Sequence, residues 1–506
     1  MNRKRQTIRL HPVDNVVVAL VQLPVGSRIP EEDLVITEPI EVGHKVACQK
    51  ILEGMPVKKY GQIIGFASRD INAGQHVHTH NLSVNDFNRD YDFAIDIKPT
   101  ELLPEASQAS FLGIIRADGR IATRNYIGIL PTVMCAASVA DKIARYFNED
   151  VLRNYPNIDG VVSFAHSTGC GNPGLGLQFL QRVLAGYALH PNFFATIIIG
   201  LGCEDNSIDS LIANTMLQES PHLKTLTIQH IGGTDKTVRA GIEMILDWLP
   251  QANSAKRTAV SASHLILGLE CGGSDAFSGI TANPALGVAA DLIVKNGGTA
   301  VLSETPEIFG AEHLLIRRAA NIEVANKIVE AIKWWKKYAA KNNAEINNNP
   351  SPGNKKGGIS TIAEKSLGAV MKGGSSNLVD FCEYAEPIKG PGLVFMDATS
   401  HDTISVTAKV AGGANIVCFT TGRGTPVGNK PVPVLKLASN TPTYHRLIED
   451  FDLNCGVVVD EERTLEEIGH RIFDLILATA SGRKTQSEIH GFGDLEFAPW
   501  QIGAML

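Results

Sequence analysis

The sequence predicts an α+β chain of several domains: a small all-β module at the N-terminus, followed by two α/β domains with largely parallel sheets. Three observations carry this. From Thr7 to about His80, short runs of Val, Ile and Tyr are bracketed by Gly, Pro and Asp, as in "NVVVALVQLPVGSRI" and "GMPVKKYGQIIGFASRDINAGQHVHTHN", and no helical period lasts beyond two turns. From Phe111 onward, near-continuous apolar strands alternate with amphipathic segments: "YIGILPTVMC" then "AASVADKIARYFNEDVL", "NFFATIIIGLGCE" then a helix. That alternation marks a parallel sheet covered on both faces. Finally, 506 residues are enough for several cores.

Taken in order, the β module is expected over residues 1–85. A linker over 86–110 follows, in the polar, acidic "SVNDFNRDYDFAIDIKPTELLPEASQ", whose composition lets the module move, or be placed over the rest. An α/β domain is expected over 111–255 and a C-terminal α/β domain over 256–506, with the boundary in "PQANSAKRTAV". In the last domain a long helix covers "NKIVEAIKWWKKYAAK", an exposed loop covers "NNAEINNNPSPGNKKGG", and a terminal helix covers "TLEEIGHRIFDLILATASG".

Charge narrows the function. Lys and Arg number 46 against 53 Asp and Glu, and a net charge of −7 lacks the basic excess of a nucleic-acid binder. The basic start "MNRKRQTIRLHP" leads into no apolar segment, and no apolar run approaches the roughly 20 residues of a membrane span, so a cytoplasmic protein is expected. Eight Cys are too sparse for a disulfide scaffold.

Three groups of residues are candidates for chemistry. Cys135, Cys170, Cys203 and Cys271 each stand at the expected carboxyl end of an apolar strand; on one rim they would hold iron or zinc, and otherwise they are simply small residues at tight turns. His44, with His76, His78 and His80 in "QHVHTHN", has ligand potential because side chains at i, i+2 and i+4 of a strand share a face; a solvated polar stripe would look the same. Gly-rich turns form the third group. "DGRIATRN" offers Arg124 and Asn125, "TGRGTPVG" offers Arg423 as a bidentate carboxylate clamp, and "LECGGSDAFSG" offers Ser274 and Asp275 where backbone N–H groups can face an anion.

The motifs "GHKVA", "KYGQIIGFA", "INAGQHVHTHN", "RADGRIATRNYIGILPTVMC", "GLGCE", "LECGGSDAFSGITANPALG", "SETPEIFGAE", "NPSPGNKKGG", "EKSLG" and "TGRGTPVG" together resemble the altronate and galactarate dehydratase family, in order and over nearly the whole chain. The resemblance implies that the β module is a SAF-like (β-clip) domain. It also implies loss of water from C2 and C3 of a sugar acid to give a 2-keto-3-deoxy acid, with D-altronate favoured over galactarate. Iron(II) is the implied cofactor, with manganese(II) as the alternative in the altronate branch. The related sulfolactate sulfo-lyases eliminate sulfite instead, and a non-catalytic sugar-acid binder would be the non-enzymatic counterpart. On this reading His166 and Lys45 serve as base and acid, and Arg124, Asn125, Ser274, Asp275 and Arg423 hold substrate. Two metal sites stay open: His44, His78 and His80 around one iron, or the four strand-end thiols around iron, as an iron–sulfur cluster. The partner is a small molecule, with neither nucleic acid nor membrane, and the assembly a homodimer.

Overall fold

The computed structural model describes residues 5–84 and 91–505. The module is built on an antiparallel sheet of β1 (Thr7–Ile8), β2 (Val16–Ala19), β3 (Lys45–Ala47) and β4 (His76–Val77), in that spatial order. A second antiparallel sheet joins Pro56–Lys59, Gln62–Ala67 and Leu82–Ser83. Val16, Val57, Ile64 and Val77 do not form a private core: their apolar cluster continues into Leu267, Leu286 and Leu302 of the C-terminal domain. The module is therefore docked by hydrophobic burial.

The middle domain has a four-stranded parallel sheet. Its strands are β5 (Tyr126–Pro131), β6 (Gly160–Ser163), β7 (Phe193–Gly200) and β8 (Leu223–Thr227), ordered β6-β5-β7-β8. Along β5, Ile127 and Ile129 meet α1 (Met134–Ala144) and α3 (Thr234–Asn253) on one face, while Tyr126 and Leu130 meet α2 (Leu175–Ala188) on the other. Burial on both faces explains the unbroken apolar strand.

The C-terminal domain carries a seven-stranded parallel sheet. Its strands are β9 (Ile266–Cys271), β10 (Thr299–Leu302), β11 (Leu378–Cys382), β12 (Gly392–Met396), β13 (Ile416–Thr421), β14 (Val434–Ala438) and β15 (Leu453–Asn454), ordered β11-β12-β10-β9-β13-β14-β15. Helices α4 (Ala282–Lys295), α5 (Ile322–Lys341) and α8 (Leu465–Ala480) contribute to the cluster shared with the module. Helix α6 (Ile362–Ala369) is buried all round, and α7 (Asp402–Ala411) packs on the cluster that contains α2. No helix among the described residues is long and apolar enough to cross a membrane.

Three segments differ from the sequence expectation. The linker is not free: residues 86–90 lie outside the described residues, but Ala94 and Asp96 donate backbone hydrogen bonds to Ile316 and Arg317, and Arg317 pairs with Asp92 and Asp96 at 2.7 Å. Its acidic residues bind a cation on the domain they cross. The boundary stretch contains a strand, Arg257–Ser261, which pairs with Ser110–Ile115, and Phe111 and Val260 of this pair pack on the apolar cluster of the C-terminal domain. The expected exposed loop folds instead into a short helix, Pro352–Lys356, capped by Ser351 and anchored by buried Asn354, whose amide donates to Ser274 O at 2.8 Å.

Candidate active site

Antiparallel pairing of β3 with β4 sets Val46 opposite His76, which brings His44 at the start of β3 against the "HVH" run. Ring nitrogens of His44, His76 and His78 lie within 4.8 Å of one another. His44 Nε2 donates to Lys356 O at 3.3 Å, so its Nδ1 carries the lone pair, and His76 Nε2 stands 2.9 Å from that nitrogen. Two cis nitrogens on an octahedral ion with metal–nitrogen bonds of about 2.1 Å are separated by about 3.0 Å, so this pair has the spacing of metal ligands. His78 Nδ1 bonds Ser360 Oγ at 2.8 Å, which leaves Nε2 as its ligand atom. Burial, reinforced by the neighbouring imidazole of His44, pushes His76 down to about 3; burial and the charge of Lys45 push His78 down to about 4. The rings thus stay neutral, as metal ligation requires.

His80 is not in the set whose ring nitrogens lie within 4.8 Å; His76 is. Strand β4 ends at Val77 and the chain turns, so His80 is exposed at the edge of the group, its ring 5.2 Å from that of His76.

A pocket of about 530 Å³ opens next to the trio, between the module and the C-terminal domain. Glu41 and Val42 wall it from the module, Lys356 and Gly357 from the capped helix, and Arg423 and Arg446 from the far side. Among the described residues, none of these three cations has a carboxylate partner. Unpaired cations in a concavity suit a carboxylate ligand. Asp275 lies on the same wall, its carboxylate accepting from Ser278, Ser439 and Asn440.

Three models of known families match the chain in register with this architecture: the altronate/galactarate dehydratase SAF domain over residues 5–85, the D-galactarate dehydratase/altronate hydrolase second domain over 113–253, and the D-galactarate/altronate dehydratase C-terminal domain over 262–505. The altronate dehydratase of Bacillus subtilis is 36% identical over 497 residues, covering 96% of this chain and 97% of the relative. The chain belongs to the altronate/galactarate dehydratase family. The galactarate dehydratase (L-threo-forming) of Escherichia coli is 36% identical, covering 94% of this chain and 93% of its own. The (2R)-sulfolactate sulfo-lyase subunit beta of Chromohalobacter salexigens is 32% identical, covering 76% of this chain and 96% of its own. The protein is thus an enzyme of the hydro-lyase kind, and its β module is a SAF domain.

Behind the dehydratase's pocket lies a buried charge network. Lys45 Nζ donates to Gly358 O at 2.7 Å and to both oxygens of Glu364 at 3.1 and 2.9 Å, and Lys59 Nζ reaches Glu364 at 2.9 Å. With one carboxylate between two ammoniums, burial pushes Lys45 down to about 8. Burial also opposes the charge on Lys59, but Glu364 and Tyr60 outweigh it and the pKa rises. Further in, Lys365 pairs with Glu307 at 2.6 Å, Lys372 with Glu304 at 3.0 Å, and Lys409 with Glu270. Lys372 also donates to Cys271 Sγ at 2.8 Å. Two carboxylate-rich groups here, Cys271/Glu304/Glu307 and Glu270/Glu304/Asp402, have metal-like spacing, but Lys372 and Lys409 already supply positive charge to them.

The remaining sequence candidates are distributed differently. All five N–H bonds of the Arg124 guanidinium are used: Glu488 takes two, at 2.6 and 2.8 Å, and the carbonyls of Thr123, Thr479 and Arg483 take three. Asn125 is likewise engaged by Asn157 O, Ala252 O and Arg116. Arg124 thus ties the middle domain to the C-terminal one, whereas the Asn125 side chain is spent on partners within the middle domain. Ser274 is buried with its hydroxyl unpartnered, beside Asp275. His166 sits in the middle domain and lines a different pocket, with His401; its Nε2 bonds Pro131 O at 2.8 Å and its Nδ1 accepts from the Thr168 N–H at 3.4 Å. The four thiols divide between two sheets. Cys135, Cys170 and Cys203 are exposed on the middle domain, whereas Cys271 is buried at the end of β9.

Sequence reasoning missed Lys59, Glu364, Lys356 and Arg446. "EKSLG" belonged to the family pattern, and its charged pair inside a stretch of small residues was the available signal for Glu364.

Proposed function

We propose that this dehydratase converts altronate to 2-dehydro-3-deoxygluconate, with iron(II) held by His44, His76 and His78. The observation that supports it best is the set of three imidazoles at metal spacing, with His44 bonded to Lys356 in the wall of a pocket that also holds Arg423 and Arg446. Arg423, Arg446 and Lys356 bind the substrate carboxylate and orient C2 and C3. Iron(II), when bound, supplies Lewis-acid stabilisation of the dianionic enediolate that forms as the C2 proton leaves. Among the expected acid–base groups, Lys45 is the one kept beside the imidazoles, and Glu364 and Lys59 share its charge through the transfer. His44 and the Lys356–Gly358 backbone close the inner end against water. A second reading, galactarate, has one observation in its favour: three cations around one pocket can anchor two carboxylates.

The test is incubation of the purified protein with iron(II) under reducing conditions with altronate, galactarate or sulfolactate, reading 2-keto acid and sulfite. Turnover of altronate with at least tenfold loss in His78→Ala is expected. Sulfite release, or no keto acid from either sugar acid, would sink the reading.

A further inference from the structure

The middle domain carries a group of thiols that this reaction does not use. Strands β6, β5 and β7 are neighbours, and the loop after each presents an exposed thiol: Cys170 after β6, Cys135 in the first turn of α1 after β5, and Cys203 after β7. The loops are tied directly to one another. Met134 N–H donates to Thr168 O and Asn206 N–H to Gly169 O, both at 3.0 Å, while the Asn206 amide reaches Thr132 O at 2.9 Å. Gly169, at φ +110°, packs so closely that a Cβ there would stand 2.4 Å from Thr132 O. Glu204, next to Cys203, turns inward and accepts the N–H groups of Leu201, Gly202 and Cys203 together with the Thr132 hydroxyl, which fixes the third loop to the first.

A second observation points to a guest. The side-chain oxygens of Thr168, Asn172 and Asn206, at 4%, 5% and 0% exposure, have no hydrogen-bond partner, and all three belong to these loops. A buried polar atom left unpaired costs about 1–3 kcal/mol. The Thr168 hydroxyl in particular is a donor awaiting an acceptor, and hydrogen bonds to cluster sulfurs are of that kind.

Spacing argues against a single ion. Among the described residues, three groups of metal-binding side chains have ligand atoms within 4.8 Å of each other, and the thiol trio is not one of them. A single tetrahedral ion with metal–sulfur bonds of about 2.3 Å needs its sulfurs about 3.8 Å apart. At least one pair in the trio is more than 4.8 Å apart, too wide for one ion. We infer that this rim is a binding site for an iron–sulfur cluster, ligated by Cys135, Cys170 and Cys203. Each thiol releases its proton as the thiolate binds iron.

The experiment uses the full chain, purified without oxygen and then incubated with ferric iron, a thiol reductant and sulfide, so that the ferric iron supplies the oxidised metal a cluster needs and the thiol reduces the remainder. Acid-labile sulfide is the readout, because iron at the imidazoles carries none. Sulfide and iron are expected in roughly equal amounts at the rim, with a visible charge-transfer absorption. Cys135→Ser, Cys170→Ser and Cys203→Ser should each lose most of the sulfide while keeping the wild-type circular dichroism. His78→Ala and Cys271→Ser should keep it. Iron or zinc bound without sulfide, or sulfide unchanged in the three serine variants, would overturn the assignment.

Discussion

The ends of β7 and β9 read almost alike, "IIIGLGCE" and "LILGLEC", yet they finish in opposite environments. Strand β7 stops at Gly200, so Cys203 lies in the following loop and is exposed, while Glu204 folds back as the loop's internal acceptor. Strand β9 continues through Cys271, flanked by β10 and β13, so both Glu270 and Cys271 are buried and each is met by a lysine. The same two residue types, Cys and Glu, thus build a ligand-presenting loop in one domain and an internal ion network in the other. What separates them is whether the strand ends before or after the thiol.

The comparison breaks most visibly at Lys372. Replacing it by Met leaves the Glu304 carboxylate without the ammonium now 3.0 Å away, in a site with no exposure. Removing one partner of a buried pair costs about 3–5 kcal/mol. Chemical denaturation of Lys372→Met should show a loss of that size; a loss under about 1 kcal/mol would mean the network is not carrying charge.

A smaller effect comes from pH. Burial, and then the neighbouring carboxylate, raise both Glu304 and Asp402 to about 7. An acid whose pKa is higher folded than unfolded binds more protons in the native state, so its contribution is complete below the ordinary carboxylate range and declines as pH rises toward 7. Denaturation midpoints should therefore fall between about pH 4.5 and 7, and Glu304→Gln should flatten that slope. An unchanged slope would remove Glu304 as its source.

How far the site was legible follows from which contacts are local. The strands of both α/β domains could be read because burial on two faces leaves continuous apolar runs, and the module because its turns are written in Gly, Pro and Asp. The imidazole group was half legible: the two-residue period pairs His76 with His78, but only the turn after Val77 shows that His80 ends at the exposed edge of the group. Arg124 looked like a substrate clamp because its partner Glu488 lies 364 residues away. Glu364 and Lys365 are consecutive on a helix buried on every side, so periodicity cannot mark them as a site. The strand-end positions of the four thiols were visible, and the domain boundary already set Cys271 apart; its burial against Lys372 was not.

The smallest predicted effect tests the comparison most directly. In metal-free protein, Cys203→Ser changes an exposed side chain in a loop already held by Glu204, so stability should move by less than about 0.5 kcal/mol. Cys271→Ala removes the sulfur that accepts from Lys372 and leaves a void in a closed site, and a loss of roughly 1–3 kcal/mol is expected. Maleimide labelling of the native protein should show the same order, with Cys135, Cys170 and Cys203 modified first and Cys271 only after unfolding. Equal costs and equal labelling at Cys203 and Cys271 would mean that the end of the strand does not govern exposure, and the two similar sequences would need a different physical distinction.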